Sequence, residues 1–250
     1  MSISDILLIL AAGTAGGFIN TMAGGGSLIT LPLLIFFGLP SAVANGTNRI
    51  ALMVQNIIAV TNFKSRGYFN FSLSLKLALP AIIGSVIGSN LAITLSDALF
   101  NKILAIIMFV MLALILWNPT QKINKIKKTL GFKRQLLLII AFFFIGIYGG
   151  FVQAGVGIII IAVLSLITGL SLVKINSIKV LVVAIYLFSS LLIFIYNDKV
   201  NWQLGLTLAV GNGIGAWLAS TLAVKKGEKA IKIVLTLAVI LMALHLLGLF

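Results

Sequence analysis

Two glycine-rich interruptions, each set in a long uncharged apolar stretch, constrain this chain more than any other feature. Gly16-Gly17-Phe18-Ile19-Asn20 with Gly24-Gly25-Gly26 is echoed by Gly149-Gly150-Phe151-Val152-Gln153 with Gly155-Val156-Gly157. Glycine lowers helix stability by about 1 kcal/mol relative to alanine, so three in a row break a helix that its surroundings would otherwise continue. Residues 6–48 contain no Asp, Glu, Lys or Arg, and neither do residues 135–173. At about 1.5 Å per residue each stretch is too long for one crossing of a ~30 Å hydrocarbon layer and suits a pair of helices.

The composition is that of a polytopic membrane protein, with 61% of the 250 residues hydrophobic and 9% charged. Further apolar blocks near 47–63, 72–96, 99–117, 175–196, 202–223 and 233–250 bring the count to ten helical segments. Continuous runs such as Leu136-Leu137-Leu138-Ile139-Ile140 lack the alternation a membrane β-barrel needs, so the fold is expected to be all-α. The start of the chain carries Asp5 and no Lys or Arg before its apolar run, unlike a cleaved secretory signal, and is expected to remain as a helix. With no cysteine, thiolate metal sites, disulfides and thiol redox chemistry are excluded. No cofactor is expected.

Aligning Gly24 with Gly155 also aligns Gly26 with Gly157, Gly38 with Gly169, Asn45 with Asn176, Asn70 with Asn201 and Gly84 with Gly215. The order of apolar blocks repeats with them. The expected organisation is a first transmembrane repeat over 1–118, a basic linker over 119–134 and a second repeat over 135–250. Five segments per half, an odd number, predicts that the halves are inverted with respect to each other across the membrane. If the linker is cytoplasmic, all but three of the 18 Lys and Arg fall inside, leaving Arg49, Lys102 and Lys199 outside and both termini external. Such basic loops explain the net charge of +14 through the bilayer rather than through nucleic acid, which is not an expected partner.

The segment at residues 27–37 would rise only about 16 Å as a helix and cannot span. It is therefore read, with 6–22, as two arms of an element bent at Gly24-Gly25-Gly26 within the membrane; 135–154 and 158–168 do the same in the second half. A helix that begins at membrane depth exposes unpaired N–H groups and the positive end of its dipole. Gly24, Gly25, Gly26 and Ser27, with Gly155 and Gly157, are accordingly candidate anion-binding positions. Close helix packing is the competing explanation, and it is preferred for the G-x-x-x-G pairs Gly84/Gly88 and Gly211/Gly215.

A second cluster, Asn45-Gly46-Thr47-Asn48-Arg49, is echoed by Asn176-Ser177-Ile178-Lys179. Asn45 and Asn176 read equally well as helix caps. Thr47, Asn48, Arg49 and Lys179 are candidates to reach an anion, and Arg49 is alternatively an interfacial residue whose side chain snorkels. Asn20 and Gln153 occupy matching positions and are expected to face each other; with Gln55 and Asn56 they could line the site or bond helices together. Asn90 and Asn212 are read as such inter-helix bonds. The four acids Asp5, Asp97, Asp198 and Glu228 fall at segment ends or loops, so none is placed to relay protons at mid-membrane. His245 is read as a packed or interfacial ring, with a proton role left open.

At these motifs the chain resembles the TauE/SafE sulfite exporter family, also called the toluene sulfonate uptake permease family. The resembling residues are Ala23-Gly24-Gly25-Gly26-Ser27-Leu28-Ile29-Thr30-Leu31-Pro32, Gly38, Gly46-Thr47-Asn48, Gly149-Gly150-Phe151 and Ala154-Gly155-Val156-Gly157. The similarity implies passage of sulfite, sulfonates or related organosulfur anions without an enzymatic step. More symmetrical members repeat the glycine triplet and proline; here the second half has Gly155-Val156-Gly157-Ile158, and Val163 opposite Pro32.

The expectation is a multi-pass plasma-membrane protein, a secondary transporter or facilitator whose partners are the lipid bilayer and a small-molecule anion, with a homo-oligomer left open. Export is favoured, because a monoanion leaving a negative interior gains roughly 2.3 kcal/mol per 100 mV. An ion-coupled importer of small organic anions is the alternative within the same class. An intramembrane enzyme is the alternative from another class, disfavoured because no Cys, His or carboxylate cluster lies at membrane depth.

Overall fold

The computed structural model describes residues 2–117 and 131–246, and every regular element in them is a helix. In chain order these are α1 (Ile3–Ala23), α2 (Ser27–Phe36), α3 (Ser41–Ser65), α4 (Phe71–Thr94), α5 (Asp97–Trp117), α6 (Phe132–Phe151), α7 (Val156–Thr168), α8 (Leu172–Tyr196) and α9 (Trp202–Leu246). The last is two helices joined at Gly227, where φ 61° and ψ −148° leave helical space. The expected ten segments are therefore present. Most of the linker lies outside the described residues, while Lys133 and Arg134 belong to the first turn of α6. The side chains of Glu228 and His245 lie outside them as well.

Among the described residues five helices are long and apolar enough to cross a membrane: α1, α4, α6, α8 and the Trp202–Gly227 arm of α9. Helices α2 and α7, at 10 and 13 residues, are too short. Helix α3 has the length but carries Asn45, Thr47, Asn48, Arg49, Gln55 and Asn56, all buried inside the protein. The outer surface is the reverse: Leu79, Ile83, Phe109, Phe144, Val210 and Trp217 are exposed. Apolar outside and polar inside is the distribution required when lipid is the solvent.

In lipid, close packing rather than water exclusion holds helices together. Helix α1 packs along α9, α4 along α6, and α3 lies against both α8 and α9. Glycines permit the first two approaches. A Cβ on Gly84 or Gly88 would stand 2.1 Å from the Phe143 carbonyl oxygen or 1.9 Å from that of Ile147 on α6, and one on Gly215 would stand 2.1 Å from the Thr14 oxygen on α1. The packing assignment made for these pairs from sequence is what the structure contains. Apolar side chains form two clusters; α2 anchors in one through Leu28, Leu31 and Leu34, and α7 in the other through Ile160, Ile161 and Leu164.

Candidate functional site

Four helix ends converge in the interior, the C-termini of α1 and α6 and the N-termini of α2 and α7. Gly24 closes α1 in the left-handed conformation (φ 87°), its N–H donating to the carbonyls of Ile19 and Asn20. Gly155 (φ 73°) opens α7. The two breaks touch through their backbones: a Cβ on Gly24 would lie 2.2 Å from the carbonyl carbon of Gly157, and one on Gly157 would lie 2.4 Å from the Cα of Gly24. Only glycine at both positions allows this crossing. The N–H groups of Gly25, Gly26 and Ser27, and those of Ala154, Gly155 and Gly157, find no acceptor among the described residues. They are the orphan donors of two helix starts.

The two C-termini are closed by side chains from the opposite half. Arg49, 0% exposed, donates through Nη1 to the carbonyl of Gly149 (3.1 Å) and through Nη2 to that of Gly150 (2.6 Å). Its guanidinium carbon lies 4.5 Å from the centre of the Phe194 ring, a cation–π contact. One turn earlier Asn45 donates to the Phe151 carbonyl at 2.7 Å. In the other half Lys179, 3% exposed, donates to the carbonyls of Asn20 and Thr21, both at 2.9 Å, and Asn176 donates to that of Met22 at 3.0 Å. Among the described residues neither cation meets a carboxylate. A helix C-terminus carries about −0.5 charge, so each cation leaves about half a positive charge at the junction, and the two N-termini add a similar amount each.

Several expectations are corrected here. Arg49 is not external and Lys179 is not in a loop, so neither belongs in the count of inside and outside charges. Asn45 and Asn176 lie within α3 and α8 and cap neither; they tie those helices to the opposite break. Asn90 is exposed and bonds only to its own helix, at the Val86 carbonyl, whereas Asn212 is buried and reaches Gln55 at 3.4 Å, as an inter-helix bond should. Asn20 and Gln153 both stand at the junction without bonding each other. Asn20 donates to Gln55 Oε1 (3.2 Å), and Gln153 Oε1 accepts from the Tyr186 hydroxyl (2.9 Å).

The remaining candidates divide. Ser27 bonds across the junction to the Gln153 carbonyl at 3.3 Å. Asn48 accepts from Thr30 of α2 at 2.8 Å. Thr47 points elsewhere, accepting the Asn201 N–H at the turn before α9. Gly26 has no room for a side chain because the Gly16 carbonyl oxygen lies 1.8 Å from where a Cβ would be, whereas a Cβ on Gly25 would make only ordinary contact with Ile158 and Leu28. Gln153 is one of two non-glycine residues with positive φ (66°) among those described, a conformation held by its bonds to Tyr186, Ser27 and Val156.

Sequence reasoning passed over Tyr186 and Thr30. The alignment that pairs Asn45 with Asn176 also pairs Gln55 with Tyr186, so the register held the signal for Tyr186. Asp5, Asp97 and Asp198 are where the sequence placed them, at the start of α1, the start of α5 and the α8–α9 turn.

An apolar outer surface around a polar interior of interrupted helices defines a multi-pass membrane protein. Its sequence matches the family described as "Sulfite exporter TauE/SafE" over residues 9–246, and the chain belongs to that family of membrane transporters. A "Probable membrane transporter protein" of Haemophilus influenzae is 28% identical over 229 residues, covering 91% of this chain and 89% of the relative. "Probable membrane transporter protein YfcA" of Escherichia coli K12 is 29% identical over 233 residues (92% and 85%), and "Probable membrane transporter protein ORF9" of Sinorhizobium sp is 26% identical over 250 residues (97% and 92%). No solved structure matches the chain.

Proposed function

We propose that the protein is a secondary transporter or facilitator that exports sulfite, a sulfonate or a related small organosulfur anion through the glycine junction. The observation that carries this reading is the pair of buried cations, Arg49 and Lys179, set without acidic partners beside two helix starts whose N–H groups are free. A region with that much unbalanced positive charge and so many spare donors favours an anion. Apolar side chains of Leu28 and Ile158 beside Gly25, and of Met111 beside Gly155, suit a small organic substituent.

We read the halves as inverted repeats that rock about the junction, with the linker cytoplasmic and the termini external. Support comes from the exchange pattern of the contacts: α1 with α9 corresponds to α6 with α4, and α3 with α9 corresponds to α8 with α4. Outward movement fits the absence of an acid from the junction, because the membrane potential alone drives an anion out.

The test is efflux of sulfite and of ethanesulfonate from proteoliposomes holding only this protein, clamped at a series of potentials. Efflux that rises with interior negativity and persists without sodium or proton gradients is expected. Strict dependence on either gradient would replace the facilitator with a coupled carrier, the importer alternative.

A further inference from the structure

The four-helix junction is built from matched parts, but among the described residues only the first half leaves fully buried amide nitrogens unpaired. In the second half the Tyr186 hydroxyl donates to Gln153 Oε1. In the first half Gln55, 1% exposed, uses its Oε1 to accept from Asn20 and, at 3.4 Å, from Asn212, and its Nε2, with two N–H donors, has no partner. Asn48, also 1% exposed, uses its Oδ1 to accept from Thr30, and its Nδ2 has none. A buried amide donor left unpaired forfeits its bonds to water without replacement, so a protein keeps one only for a reason.

Both amides are fixed at the start of α2. Asn20, which holds Gln55, lies against Gly26: a Cβ there would stand 2.6 Å from its own. Thr30, which holds Asn48, is the fourth residue of α2, and its methyl lies against Gly16, whose carbonyl abuts Gly26. The free N–H groups of Gly25, Gly26 and Ser27 belong to the same helix start. Asn20 and Thr30 thus act as positioning residues that occupy each amide's oxygen and leave its nitrogen available.

We propose that the oxyanion head of the transported anion is received on Gln55 Nε2, Asn48 Nδ2 and the N-terminus of α2, all of the first half. The second half contributes field through Arg49's companion Lys179 and shape through Tyr186–Gln153. This rests on the anion reading above and makes it specific: the receptor is a set of neutral donors, matched to a head with several acceptor oxygens, such as an SO3 group. Gln55 and Asn48 are the residues that determine specificity.

The experiment measures binding of sulfite and of ethanesulfonate to purified wild type, Gln55→Met, Asn48→Ala and, as a control outside the junction, Asn90→Ala, with thermal unfolding as a check on folding. A hydrogen bond to a charged group contributes enough to change affinity about tenfold. Kd should rise about tenfold or more in each of Gln55→Met and Asn48→Ala and stay within about twofold in Asn90→Ala. Wild-type affinity in a folded Gln55→Met or Asn48→Ala would overturn the assignment while leaving the anion reading intact. So would equal weakening by Asn90→Ala. Wild type that neither binds nor moves any of these anions would overturn both. Because the two amides sit on different turns of α3, either variant decides the matter if the other does not fold.

Discussion

The two halves close the same kind of broken helix with different chemistry. The end of α6 is held by an arginine fork, two N–H donors on two successive carbonyls with an aromatic ring behind, and the end of α1 by a lysine ammonium reaching two carbonyls, with no ring against it among the described residues. The forked geometry is pre-organised, whereas the ammonium sits on a flexible stem. Beside them Gln153 accepts from a tyrosine, whereas Asn20 donates to a glutamine whose own nitrogen is fully buried and unpaired. The comparison separates a helix end held by a pre-organised fork from one held by a flexible stem beside buried, unpaired amide nitrogens.

Removal of the cations should have the largest effect. Arg49→Gln strips the carbonyls of Gly149 and Gly150 of a charged donor and should lower stability by about 3 kcal/mol, with loss of efflux. Lys179→Arg should fold, while Arg49→Lys, unable to fork across both carbonyls, should lie between wild type and Arg49→Gln in thermal unfolding. If Arg49→Lys and Lys179→Arg are equally tolerated, the contrast in rigidity between the halves is wrong.

Next come the glycines. Gly26→Ala places a methyl against the Gly16 carbonyl and should cost on the order of 1–3 kcal/mol, in keeping with overpacking elsewhere. Gly25→Ala meets only side chains at 3.4 Å and beyond and should fold as wild type, so that any loss of efflux from it reports on access to the free N–H groups. Unequal folding of the two is expected in thermal unfolding; equal folding would remove the distinction between a packing glycine and a site glycine.

The smallest effects are expected at the acids. Asp97 accepts the Ser41 N–H at 2.8 Å near the start of α3, a bond that an asparagine oxygen can also accept. Asp198 holds a positive φ of 53°, which asparagine tolerates. Asp97→Asn and Asp198→Asn should each change stability by less than about 1 kcal/mol and leave the voltage dependence of efflux unaltered. A changed voltage dependence in either would bring a carboxylate back into the mechanism.

The architecture was legible because it rests on length and glycine. Ten segments, two too short to span, and the helix pairs joined through Gly84/Gly88 and Gly211/Gly215 all follow from where apolar runs stop and small residues recur. The partners of Arg49 and Lys179 were not legible. They are backbone carbonyls, which every residue has, so no side-chain pattern marks them; the lack of a nearby acid pointed to a ligand but gave no sign that a helix end takes up about half of each charge. Asn45 and Asn176 misled for a related reason, since an amide that binds a distant carbonyl and one that caps a helix look identical in sequence. Asn20 and Gln153, read from the register as matching positions that face each other, both stand at the junction, but each found its side-chain partner within its own half.

The backbone contact between Gly24 and Gly157 also governs what the membrane loses when nothing is being carried. Two backbone segments in contact at atomic distance, with no side chains between them, leave no room for a water molecule at the point where they cross. On the proposed route, the seam that parts for an anion to pass is thus also the point at which the path shuts between passages, and a single methyl group at either glycine should hold it ajar.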